Sequence, residues 1–180
     1  MAGKVARDGS QTSFGTLTLD HPRNRLLVDI KPPGGPRLQQ AHALKSRPFI
    51  LYDFDFADLN AVLQADRPSA RFAYDLPVIW PAADGLFRDY GRLVGTFAAF
   101  ETHLGRRTLR FNLRVEGGSK ARGTLWLDRA GGFIVDAVLP LPNHDNYRDF
   151  RLQLVDVDHG GPTAWAALLA GHYANCPTGN

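Results

Sequence analysis

Between Gly91 and Asp158 the chain lays down five alternating apolar stretches: GRLVGTFAAFET, RTLRFNLRV, RGTLWLD, FIVDAVLP and YRDFRLQLVDVD. The connections HLGR, EGGSKA and RAGG between the first four are short and rich in glycine. Links that short join antiparallel neighbours, so this half predicts an up-and-down meander. Alternation then sorts the side chains onto two faces. One face collects Leu109, Phe111, Leu113, Val115, Leu125, Leu127, Phe133, Val135, Ala137, Leu139, Phe150, Leu152 and Leu154. The other mixes Arg110, Asn112, Arg114, Thr124, Trp126, Asp128, Ile134, Asp136, Val138, Asp149, Arg151 and Gln153. A face so strongly apolar needs a helix or a cavity against it.

The rest of the chain supplies those covers. GTLTLD and RLLVDI alternate as strands, and KPPGGP between Lys31 and Pro36 reads as loop. Arg37 to Ser46 reads as a short helix, with Leu38, Ala41 and Leu44 roughly on one side. RPFILYDFD predicts a strand and FADLNAVLQ a helix, with Asp55 as its cap and Phe56, Leu59 and Leu63 at helical spacing. ARFAYDLPVIW is extended, and PAADGLFRDY reads as a loop or a single helical turn. GPTAWAALLAGHY predicts a final helix with Pro162 in its first turn and Trp165, Leu168 and Leu169 on its apolar side. The fold class is therefore α+β. It is expected as a single antiparallel, strongly curved sheet of about eight or nine strands, an unclosed β-barrel with helices on its apolar face and a C-terminal helix. Residues 1–13 read as a flexible polar leader, and 14–180 as one β-rich domain.

Composition narrows the function classes. At 180 residues the length suits one domain with a real core, and 44% apolar with 22% charged residues is ordinary for a soluble globular chain. A net charge of +3 is too mild to argue for nucleic acid. No apolar run approaches the roughly 20 residues that cross a membrane, and no export signal is visible. The sequence as given points to the cytoplasm, or to the periplasm if a signal was trimmed. Cys176 is the single cysteine, which excludes an intrachain disulfide and a multi-cysteine zinc site. GxGxxG, GxxxxGKS, HExxH and GxSxG are all missing, so neither a metal nor an organic cofactor is indicated.

Several constellations have the residue types of a site. DFDFAD places Asp53 and Asp55 on one side of a strand end and resembles the DxD of haloacid-dehalogenase phosphatases and of some glycosyltransferases. It lacks the small residue expected after the phosphatase motif, and helix capping explains it better. His172 and Cys176 stand one helical turn apart, with no further cysteine to complete a metal site. Arg110 and Arg114 around Trp126 offer guanidinium forks to an anion, or else make cross-strand pairs with acids on a solvated surface. In LPLPNHDNYRDF, His144 reads as a base or acid with Tyr147 and Asp149 beside it, or as part of a turn.

GTLWLD followed by GGFIV, within the long meander, resembles the half-barrels of the LolA-like lipoprotein-carrier families of bacteria. That resemblance spans residues 91–158 and implies a curved sheet whose concave apolar face, covered by helices, holds an acyl chain. Two functions from different classes follow. The first is a non-catalytic binding or carrier protein for a small apolar or amphiphilic, lipid-like ligand. Phe97, Phe111, Leu113, Leu125, Leu127, Val135, Leu152 and Trp165 would line its cavity. The second is a cofactor-independent enzyme in the same cavity, with His144, Tyr147 and Asp149 at its rim.

Overall fold

The computed structural model describes residues 2–5, 11–31, 34–45, 57–82, 85–118, 120–141 and 148–174. It is α+β, with ten strands and two helices among those residues. All strand pairs are antiparallel, as expected, but they divide between two sheets of four and six strands instead of forming one. The chain clusters correspondingly into two compact units, residues 1–43 with 155–180, and residues 44–154.

The smaller unit holds β1 (Ala2–Val5), β2 (Gln11–Asp20), β3 (Arg25–Ile30) and β4 (Leu38–Ala43), paired in chain order. Residues 2–5, read above as leader, thus form the edge strand beside β2. Leu26, Val28 and Ile30 alternate inward along β3, as the period of two requires. The helix expected over Arg37 to Ser46 is instead β4. Its register sets Leu38, Gln40 and His42 opposite Ile30, Val28 and Leu26. The open backbone groups of β3 offer this segment a ladder, and a weak helical pattern yields to it. Arg37 fixes the pairing with two bonds to the Asp29 carboxylate, at 2.7 and 2.5 Å, and Gln39 adds a third at 3.0 Å. Helix α2 (Gly161–Ala174) belongs to this unit and starts where the sequence places it.

The larger unit contains α1 (Ala57–Asp66), β5 (Arg71–Ala82), β6 (Gly85–His103), β7 (Arg106–Glu116), β8 (Arg122–Asp128), β9 (Ile134–Leu139) and β10 (Phe150–Gln153). Strand order follows chain order, so the five predicted stretches are β6 to β10 of one meander. The sheet is curved and unclosed, with β5 and β10 as its edges. Register shifts at Asp75/Pro77, Ile79/Ala82, Phe97/Ala99 and Trp126/Leu127 bend it. Pro77 sits at such a shift on an edge strand, where its missing donor is tolerated. PAADGLFRDY departs from the expected loop or single helical turn: β5 continues to Ala82 and β6 begins at Gly85, so the described residues of this stretch are sheet.

Helix α1 closes the apolar face. Leu59 and Leu63 are fully buried in one cluster with Phe72, Tyr74, Leu93, Phe111, Leu113, Leu125, Leu127, Ala137 and Leu139. Each leucine or phenylalanine among them contributes about 1.5–3 kcal/mol of burial. Polar tethers fix the helix on the sheet. Ile134 donates its backbone N–H to Asn60 Oδ1 at 2.9 Å, and Tyr74 donates its hydroxyl to Asp66 at 2.7 Å. Burial, with Asp66 beside it, raises the Tyr74 phenol above its ordinary range. The bulge opposite Leu127 also corrects the strict alternation expected for β9. Ile134, not Val135, pairs with Leu127 and joins the core cluster; Val135 is buried outside it.

Candidate ligand site

The side chains expected to line a cavity have separate fates. Phe111, Leu113, Leu125 and Leu127 are buried in the cluster beneath α1, and Phe97 and Leu152 pack half-buried against it. Aromatic contacts knit its centre: Phe72 lies 5.4 Å from Phe111 and 5.3 Å from Tyr74. Phe97 sits edge-on to Phe111 at 6.0 Å. Trp165 belongs to the smaller unit, where it is 54% exposed on α2.

Concave space occurs at the end of this layer, where α1 stops. A pocket of about 220 Å³ opens there, lined by Leu63, Leu109 and Leu127 inside and by Phe100 and the Arg129–Gly132 turn at its mouth. Local chemistry makes each wall. Arg67 ends the helix at φ 49°, donates its N–H to Leu63 O at 3.0 Å, and sends Nη1 to Ala130 O at 2.7 Å. The β8–β9 turn is wound around Asp128, whose Oδ1 accepts N–H groups from Ala130 and Gly131 at 3.0 and 2.5 Å. Gly132 has φ 74°, and a Cβ there would stand 2.8 Å from the Arg67 guanidinium. Glycine takes this φ without strain and leaves room for the Arg67 side chain. Helix end and turn therefore interlock into a preformed rim. Phe100 is 62% exposed, with the Arg129 guanidinium 5.0 Å above its ring.

Of these residues, sequence reading singled out only Leu127 as a ligand contact. RAGG was legible as a hairpin turn and FADLNAVLQ as a helix, but their meeting is a long-range event with no local signature.

The polar face is built as well. Arg110, Trp126 and Asp136 sit directly opposite one another on β7, β8 and β9. Trp126 donates Nε1 to Glu101 at 2.5 Å, and Arg110 lies 3.3 Å from the same carboxylate. Arg114 pairs with Glu116 at 2.5 Å. His103, from the end of β6, stacks on the Trp126 ring at 4.2 Å and bonds Asp136 Oδ2 at 2.9 Å. Asp136 is 1% exposed; Gln153 and Arg151 approach the same Oδ2 at 3.4 and 3.8 Å, while its Oδ1 and Arg110 Nε are buried without hydrogen-bond partners among the described residues. The guanidiniums read as anion forks thus lie beside carboxylates. His103 and Glu101 escaped sequence reading because the bulge at Phe97/Ala99 resets which side chains of β6 share a face.

Asp149 lies at the exposed start of β10, whereas His144 and Tyr147 fall outside the described residues, as do Asp53, Asp55 and Cys176. His172 is exposed on α2. Among the described residues no group of three or more His, Cys, Asp or Glu is placed to hold a metal ion. No helix among them is long and apolar enough to cross a membrane.

No family model, curated protein or solved structure matches this chain.

Proposed function

We propose that the protein is a non-catalytic binding or carrier protein for a small apolar or amphiphilic ligand, held at the α1 end of the six-stranded sheet. The observation that carries this reading is the preformed pocket over Leu63, Leu109 and Leu127. Apolar inner walls with a few fixed polar groups at the mouth are the usual make-up of a small-molecule site. Size limits the occupant. About 220 Å³ lies below the roughly 300–1,000 Å³ of drug-sized pockets, yet above the roughly 150 Å³ cavity that holds benzene. Scaling from benzene allows on the order of nine heavy atoms inside. A long acyl chain exceeds that, so the carrier reading narrows to ligands whose buried part is short.

Leu109 is half-buried on the pocket wall, and Leu109→Trp adds bulk there while leaving the rim residues themselves unchanged. Titration of the full chain with 1-hexanol, followed by ligand-detected saturation-transfer NMR, tests the reading. Saturable binding is expected, weakened at least tenfold in Leu109→Trp while that variant keeps cooperative unfolding. No saturable binding, or equal binding by the variant, contradicts it.

A further inference from the structure

The pocket has a polarity, and we infer from it that the ligand is a short-chain carboxylate, bound with its tail inward and its head at the rim. This deepens the binding role proposed above and rests on it. The inner wall is hydrocarbon from Leu63, Leu109 and Leu127, while the lining includes two guanidiniums, Arg67 and Arg129, against one carboxylate, Asp128. Asp128 is already engaged. Its Oδ1 is taken up by two turn N–H groups, and its Oδ2 faces Arg106 at 3.9 Å. The two rim cations, by contrast, meet neutral groups. Arg67 gives Nε and Nη1 to the carbonyls of Gln64 and Ala130, at 3.1 and 2.7 Å. Arg129 lies over the Phe100 ring. Neutral acceptors and a ring face orient a guanidinium without cancelling its charge.

The mouth is therefore positive and the floor apolar, which is the complement of an anion with a short tail. Volume favours a carboxylate over a phosphate ester. Of on the order of nine heavy atoms, a carboxylate uses three and leaves about six to cover the leucines. A phosphate group uses five and leaves about four, so less of the same apolar wall is covered.

Titrations of the full chain with hexanoate, 1-hexanol, hexylammonium and hexyl phosphate, monitored by NMR, test this. Hexanoate is expected to bind at least about tenfold tighter than hexanol, equivalent to about 1.4 kcal/mol. In Arg129→Gln that preference, read against the variant's own hexanol affinity, should fall at least threefold. Hexanol, hexylammonium or hexyl phosphate binding as tightly as hexanoate overturns the inference and leaves the pocket standing. So does a preference unchanged in both Arg129→Gln and Arg67→Gln. If neither hexanoate nor hexanol binds, the pocket reading itself falls.

Discussion

Asp29 shows how one side chain can hold a strand in place. Its carboxylate takes two bonds from Arg37 and one from Gln39 across the β3–β4 pair. Arg37 chiefly, then Gln39, holds its acid down to about 2. The sign follows directly: a depressed acid stabilises the fold above its ordinary value of 3.8, and that contribution is lost as pH falls through about 2. A carboxyl-carbon NMR titration should place the Asp29 midpoint near 2 in the intact protein and return it toward the ordinary range in Arg37→Ala. An unchanged midpoint in that variant would assign the shift to some other cause. At this scale the sequence was partly legible. Arg110, Arg114 and Trp126 were assigned to one face correctly, because β7 and β8 keep strict register where those side chains lie. Val135 was misplaced because a one-residue bulge, invisible in an alternating string, exchanges its role with Ile134.

Elements depend on what packs across them. Gly95 on β6 faces Phe72 on β5, and a Cβ at Gly95 would fall on the Phe72 ring. The ring fills the place of the missing side chain and then reaches Tyr74 and Phe111. Gly95→Ala should therefore act by overpacking and cost about 1–3 kcal/mol. Urea unfolding should show a lower midpoint at an unchanged slope. A midpoint equal to that of the parent would mean that the ring has room to move. The five meander stretches were readable because hairpin turns and a period of two are local signals. Residues 37–46 were not. Three apolar positions at helical spacing misled, and the partner that makes them a strand lies on β3. PAADGLFRDY looked irregular because Pro81 and Gly85 stand in it, yet the long β5–β6 ladder carries the strands through to this end.

On the scale of the whole molecule, pattern alone foretold an α+β, antiparallel and unclosed architecture. It did not foretell two sheets, because nothing within a strand records which distant edge it joins. Covering the apolar face with a helix was correctly expected, but the outcome of that covering was not. Leu59 and Leu63 of α1 are buried in the core cluster, and concave space opens beyond Leu63, where the helix ends at Arg67. The position of the ligand is therefore the central claim: the open end of the helix layer, and not the middle of the sheet.

The most direct test is an amide chemical-shift map of the full chain titrated with hexanoate. The largest, saturable shifts are expected at Leu63, Arg67, Phe100, Leu109 and Leu127 to Gly132, with Phe111, Leu113 and Leu125 little affected. Largest shifts at those central residues, or on β1 to β4 and α2, would contradict it.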